Sequence, residues 1–359
     1  MPALLDAVAL DPGAVDGHLA IYEVAQILRR PALALDHQRR AIALAPVHSV
    51  VATGREEYAL LVPSVAGSWL ANTPVELLFD MARVSIHRWY VDPDGGVPPL
   101  PRHDAVFVAV GESQAAQPFL KALEPFVDAA RVPVINGPAA IGRLGRVAFA
   151  QTFAGARYCR VPRVACMARE EYAAAGFAVP HVVRPRDSHA GTDLVRIEDD
   201  AGRRAYLDAV TAPELYVSEY VDYCSVDGFF RKYRIIFVDG RPYPFHLAIS
   251  PRWMVHYYNA PMTEHQWMRD EERAFLERLD DVFPAALGQG LREVADRLAL
   301  DYVGIDCAID RDGRLLLFEA DNALIVHMLD DPVLFGYKHA HVPRLLTAID
   351  AMVRRRIAR

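Results

Sequence analysis

Cysteine is scarce: four residues (Cys159, Cys166, Cys224 and Cys307) in 359, at spacings that match no metal pair or redox motif. That excludes a disulfide scaffold and reads as small buried hydrophobes in a reducing compartment. Long apolar runs are missing too. No stretch approaches roughly 18 consecutive apolar residues, so no membrane helix is expected. The N-terminus, MPALLDAVALDPG, has neither a basic region nor an extended apolar core, and so does not read as a signal peptide. Positive charge is not in excess. The formal net charge is −7, and the arginines, which far outnumber the lysines, are scattered apart from a short cluster at Arg354, Arg355 and Arg356. No broad basic field exists to attract nucleic acid. A soluble cytoplasmic protein with neither membrane nor nucleic-acid partners is the expectation.

What is present is enough apolar sequence, 52%, to bury sizeable cores, over a length that suggests two or three domains. Residues 1–46 read as a helical cap. Ile21, Val24, Ala25 and Leu28 share a helix face, and Pro31 starts a second helix with a stripe of Ala34, Ala41 and Ala45. Residues 47–137 alternate strands with helices: strands at Tyr58–Val62, Val84–Val91, Asp104–Gly111 and Val132–Ile135. Thr73-Pro74-Val75-Glu76 forms a capping box that opens a helix. This alternation predicts a parallel α/β layer. Residues 138–359 look different, with subdomains at about 138–214 and 215–359. Antiparallel pieces dominate, including hairpins at Asp239-Gly240 and Asp312-Gly313, and an amphipathic helix covers 338–356.

The last hairpin carries the chemistry. With Asp312-Gly313 as a two-residue turn, Arg311 pairs with Arg314 and Asp306 faces Glu319, with Asp321 on the same face. Two carboxylates roughly 5 Å apart repel by about 3 kcal/mol at an effective dielectric of about 20. The flanking residues are apolar, so something must neutralise the pair: a shared proton would serve, but three hard oxygen donors suit Mg²⁺. Solvated acids on an edge hairpin are the blander reading. In the other hairpin, Asp239-Gly240 as the turn sets Arg234 opposite Phe245 and Lys232 opposite Leu247. These cations need an anion such as a phosphate, unless they snorkel to water. A third piece, HVVRPRDSHAGTDLVRI (His181–Ile197), delivers Arg184 into a polar loop able to cradle phosphate.

The order of these pieces resembles the ATP-grasp superfamily, which includes D-alanine–D-alanine ligase and glutathione synthetase. It is most similar to bacterial proteins with tetratricopeptide-like helices ahead of an ATP-grasp module. The matching stretches are HDAVFVAVGE, VINGPAAIGRLGR, VVRPRDSHAG, LYVSEYVD, RKYRIIFVDGRPYPFHLAIS and LDYVGIDCAIDRDGRLLLFEADNA. The resemblance implies a mixed α/β and α+β chain: a Rossmann-like pre-ATP-grasp domain behind the cap, then the nucleotide-binding module. It further implies that Arg146 and Arg184 hold nucleotide phosphates and that Ser188, His189 and Gly191 form a phosphate loop that closes over ATP. Glu219, Tyr220 and Val221 would be a hinge on adenine, with Asp227 on the ribose. Arg234 would lie near the γ-phosphate, and Asp306, Glu319 and Asp321 would bind Mg²⁺ (or Mn²⁺). The family ends its metal motif Glu-x-Asn, whereas this chain reads Glu319-Ala320-Asp321-Asn322, so Asn322 is an alternative ligand. Arg184 stands where Lys is commoner, and the two are not interchangeable.

The implied reaction joins a small-molecule carboxylate to an amine through an acyl phosphate. Lys232 and Arg234 stand beside the transferred group, and His246 and Arg252 lie where substrate would sit. The His residues show no zinc spacing. A kinase-like phosphotransferase and a non-catalytic ATP-binding scaffold are the alternatives. The aromatic segment 250–270 is a candidate substrate wall, and a homodimer is the default assembly.

Overall fold

A computed structural model describes residues 1–359 except 187, 189, 190, 257, 258 and 284. The cap is three helices rather than a pair: α1 (Pro2–Leu10), α2 (Val15–Ile27) and α3 (Pro31–Leu44). Ile21, Ala25, Ala34 and Ala41 are buried as their spacing predicts, whereas Leu28 is exposed. The cap docks on the next layer through Tyr22, whose hydroxyl donates to the Gly67 carbonyl, and through Gln38, which accepts from the Gly67 N–H.

The first sheet has strands β1 (Val47–Val50), β2 (Tyr58–Ser64), β3 (Val84–Tyr90), β4 (Ala105–Phe107) and β5 (Val134–Ile135), in the order β1-β3-β2-β4-β5. β2 to β5 run parallel, and β1, not foreseen, adds on antiparallel. α4 (Gln117–Asp128) crosses over from β4 to β5. The capping box at Thr73 does not form. Only a single 3₁₀ turn spans Val75–Leu77, because the Thr73 hydroxyl donates instead to the carbonyl of Asn322, 249 residues away in sequence.

Short helices α5 (Pro138–Ile141) and α6 (Arg146–Thr152) lead to β6 (Cys159–Arg160) and β7 (Val164–Ala168). α7 (Arg169–Ala174), β8 (His181–Pro185), β9 (Val195–Ile197), α8 (Asp200–Ala209) and β10 (Glu214–Glu219) follow. An antiparallel sheet in the order β7-β10-β8-β9 has its own small core of Tyr172, Val183, Ile197, Tyr206, Leu215 and Val217.

The third sheet contains β11 (Phe230–Val238), β12 (Arg241–Ser250), β13 (Tyr302–Ile309) and β14 (Leu315–Asp321) in the order β12-β11-β13-β14-β6. Helices α9 (Gln266–Glu277), α10 (Leu279–Val282) and α11 (Ala285–Leu298) join β12 to β13, and α12 (Val342–Ile357) ends the chain. One face of this sheet (Tyr233, Ile235, Leu247, Ile305, Leu317) packs on α9 and α11 residues such as Phe275 and Val294. Asn136 ties this sheet to the first, giving and taking a hydrogen bond with the Tyr302 backbone. Among the described residues, no helix is long and apolar enough to cross a membrane.

Candidate functional site

The polar face of the third sheet holds the candidate residues, and two β-bulges build it. The Asp312-Gly313 turn is not the two-residue form. The Asp310 side chain accepts from the N–H groups of Asp312 and Arg314, Gly313 takes φ +74°, and Asp310 pairs with Arg314 around a three-residue loop. That shifts the register by one, as the Cys307↔Leu317 pairing shows. A bulge at Phe318 then shifts it back, and Asp306 faces Glu319 after all, with Asp321 opposite Gly304. The other hairpin keeps its tight turn, with Asp239 and Gly240 both at positive φ. It bulges at Phe245, so Arg234 faces His246 and Lys232 faces Ala248, not Phe245 and Leu247. Each bulge turns a residue that plain pairing would bury, His246 or Glu319, onto the face of Arg234. One rung therefore reads His246, Arg234, Asp306, Glu319 across four strands.

The charges on this rung neutralise one another. Arg234 grips Asp306 bidentately, Nε to Oδ1 at 2.7 Å and Nη2 to Oδ2 at 3.0 Å, and Lys232 Nζ adds a bond to Oδ2 at 2.8 Å. Burial works against the charge, but the two cations outweigh it and hold the Asp306 carboxyl far below the usual range. Arg146, the first residue of α6, donates to Glu319 Oε2 at 2.9 Å. Among the described residues Asp321 forms no ion pair. Burial, with Glu319 adding to it, pushes its carboxyl up to about 6, although the Ala323 N–H donates to it at 2.7 Å.

The sequence required something to neutralise the acid pair and suggested Mg²⁺; here Lys232, Arg234 and Arg146 supply positive charge to it. The acids suit magnesium in kind, but both oxygens of Asp306 are engaged. Among the described residues no group of His, Cys, Asp and Glu side chains is placed to hold a metal ion. As the side chains stand, they do not fit a preformed metal nest. Asn322 is fully buried: its Nδ2 donates to the Val110 carbonyl at 2.9 Å, tying β14 to the loop after β4, while its Oδ1 has no hydrogen-bond partner among the described residues. Gly111 follows in that loop, where a Cβ would meet Ala323 at 3.0 Å.

The four-stranded sheet contributes Arg184. It is buried, its Nε donates to Ser188 Oγ at 2.9 Å, and its Nη2 reaches the Ser188 carbonyl. Burial, and then the Arg146 charge, lower its pKa to about 10, which brings the two arginines into one field. In the same loop Gly191 sits at φ +77°, where a Cβ would lie 3.3 Å from Met254 of the 250–270 segment. His189 lies outside the described residues.

At the end of β10, Glu219 accepts from Arg160 at 2.6 Å, and Tyr220 is stacked beneath Arg196 and meets Trp253 edge-on. Tyr220 and Val221, with Arg160, Asp222, Asp310 and Arg311, border a cavity of about 140 Å³. Two candidates fall elsewhere. Asp227 pairs with Arg231, which also holds Glu271 of α9, and so sits on the opposite side of the sheet from Lys232 and Arg234. Arg252 is solvent-exposed, and its backbone N–H donates to Ser250 Oγ. Three residues were not foreseen. Glu112, beside Arg146, has its carboxyl pushed up by burial. His256 has its pKa lowered by burial and then by Lys232 and Arg234. Glu272 of α9 holds His246. Their only sequence signals were a Gly-Glu after an apolar strand, a His among aromatics and an acid in a charged helix.

No family model matches the sequence, and no curated protein matches it. Solved structures do. D-alanyl-alanine synthetase A from Vibrio cholerae O1 biovar eltor str. N16961 superposes with a TM-score of 0.54 at 11% identity, over 85% of this chain and 100% of that one. VanG D-Ala:D-Ser ligase from Enterococcus faecalis gives 0.51 at 10% identity, over 83% and 100%. A RimK domain ATP-grasp protein from Sphaerobacter thermophilus DSM 20745 gives 0.48 at 15%, over 82% and 98%. At these identities the first two likenesses show a shared fold.

Proposed function

Because the chain has the ATP-grasp fold, we propose that it is an ATP-dependent carboxylate–amine ligase acting on small molecules through an acyl phosphate. In this reading a substrate carboxylate oxygen attacks the γ-phosphorus and ADP leaves. An amine then attacks the acyl carbon and phosphate leaves. Anions meet in the first step, so fixed cations around the transferred group are what the protein must supply. The observation that carries the reading is the gathering of Lys232, Arg234 and Arg146 on one polar face, with Arg184 near enough for the charges of Arg146 and Glu319 to act on it. No nucleophilic side chain is needed. In this reading Glu219, Tyr220 and Val221 line the adenine end, with Ser188 and Gly191 over the phosphates. ATP brings its own magnesium or manganese ion rather than meeting a preformed nest. Free thiols and ATP both suit the cytoplasm.

A second reading, a non-catalytic ATP-binding protein, is favoured by one observation: Asp306 is wholly engaged by Lys232 and Arg234. ADP release measured across a panel of D- and L-amino acids decides between them. Release that needs both a carboxylate and an amine supports the ligase. ATP binding without turnover supports the alternative. ADP release without amine, leaving a stable phosphorylated product, would make it a kinase.

A further inference from the structure

β12 is the outer strand of its sheet, so among the described residues its outward N–H groups have no strand partner. Glu272 takes one of them. Its Oε1 accepts from the Leu247 N–H at 3.2 Å and from His246 Nδ1 at 2.5 Å, and its Oε2 accepts the Tyr337 hydroxyl. Lys338 Nζ lies 3.2 Å from Glu272 Oε1 and 3.0 Å from Asp330 Oδ2. Glu272 is fully buried. Burial pushes its carboxyl up, but these partners outweigh that and hold it down to about 2. Lys338 supplies its counter-charge, so the imidazole is not needed as a cation. Burial, opposed by Glu272 and helped by Lys338, whose Nζ lies 3.3 Å from Nδ1, and by Arg234, lowers the pKa of His246. A neutral imidazole that donates through Nδ1 carries its lone pair on Nε2.

The other half of the observation is the bulge at Phe245. In plain pairing His246 would face Tyr233 in the apolar core; the extra residue sets it beside Arg234 on the charged rung. A buried acid orienting a neutral imidazole, at a position reached only through an interrupted ladder, suits proton transfer better than packing.

We propose that His246 is the general base that accepts the proton of the attacking amine, with Glu272 as its positioning residue. The proposal rests on the ligase reading above. The amine nitrogen bonds to the acyl carbon, the C–O bond to phosphate breaks, and phosphate departs with the electron pair. The amine proton passes to His246 Nε2. Phosphate charge beside Arg234 offsets the cation next to the imidazole, so His246 becomes more basic once the acyl phosphate has formed. The charged and titratable groups around it, among the described residues, are Arg234 from β11, Glu272 from α9, Tyr337 and Lys338 from the turn before α12, Asp330 behind Lys338, and His327 against Phe245.

The test separates the two half-reactions. Hydroxylamine, a nucleophile already neutral at pH 7, traps an acyl phosphate without a base. With ATP and the amino-acid panel, His246→Gln is expected to form hydroxamate within about threefold of wild type, while amide synthesis falls about 100-fold or more. His246→Gln keeps a donor for Glu272, which guards the fold. Glu272→Gln removes the anion that favours imidazolium, so the acidic limb of the amide-synthesis pH profile moves to lower pH and the rate falls about tenfold. Loss of packing alone would not move that limb. Amide synthesis at the wild-type rate in His246→Gln overturns the assignment. So does a parallel loss of hydroxamate and amide with ATP binding intact. Wild-type protein that yields neither ADP nor hydroxamate with the panel overturns the ligase reading itself, and the base falls with it.

Discussion

Replacing Asp306 by Asn leaves the shape of the rung and deletes its central negative charge. Lys232 and Arg234, two residues apart on β11, are then left with no anion between them. Each of their contacts with Asp306 is 2.7–3.0 Å long. At an effective dielectric of about 20 each charge pair attracts by about 6 kcal/mol before desolvation is subtracted. Removing one partner of a buried pair costs about 3–5 kcal/mol. Lys232 and Arg234 keep partial solvent access, with side chains 17% and 26% exposed, so the low end, about 3 kcal/mol, applies. In a chain of this length that lowers the melting temperature by about 4 °C. The deficit is of charge, so an anion should repair it. Pyrophosphate, with EDTA present to exclude metal, is expected to raise the melting temperature of Asp306→Asn well above its effect on wild type, because ligand stabilisation grows with affinity. Differential scanning fluorimetry across a pyrophosphate titration reads both numbers. A variant that melts with wild type refutes the reasoning. So does pyrophosphate that stabilises the two proteins equally.

Three other outcomes follow from the same geometry. Arg184→Ala is expected to weaken ATP binding about 10- to 100-fold by calorimetry, the scale of a charge-assisted hydrogen bond, and unchanged affinity would remove Arg184 from the phosphate site. Asp321, raised from 3.8 to about 6, binds more protons folded than unfolded between those values. Stability is therefore lost as pH rises through that window, by at most about 3 kcal/mol. Asp321→Asn should raise the melting temperature at pH 8 and leave it unchanged at pH 4, and equal shifts at both would refute this. At Gly304, opposite Asp321, a Cβ would run into Leu324 Cδ1 and come within 2.9 Å of Ile236 Cδ1. Gly304→Ala should cost about 1–3 kcal/mol by urea unfolding; no change would mean that Leu324 yields freely.

Much of this was legible in the sequence because it is local. Tight-turn residues, apolar runs and helix faces locate Tyr58–Ser64, Val84–Tyr90, both hairpins and the last helix to within a few residues. The facing of Asp306 and Glu319 was anticipated through two departures that offset each other: a turn one residue longer than Asp-Gly suggests, and a bulge at Phe318. At Phe245 no second departure compensates, and the partners of Lys232 and Arg234 were misread by one. A bulge is a tertiary choice, made where edge strands meet neighbouring helices, and nothing in FHLAIS announces it. Thr73 was misread for a similar reason: it has a plausible local role in a cap, but its hydroxyl donates to the carbonyl of Asn322, just after β14. Glu272 was hidden because QWMRDEERAFLE looks like any solvated helix face, and only the outer position of β12 reveals what it holds.

The twin irregularities at Phe245 and Phe318 make the chemistry depend on odd and even counting along two strands. Substituting either phenylalanine keeps the count, so the rung survives a change of side chain. Deleting either one keeps every functional residue in the sequence but sends His246, or Glu319, through the sheet to its greasy side. This part of the chain is thus robust to misspelling and intolerant of a slipped reading frame of one, and aligned relatives with a gap there would share its residues without sharing its site.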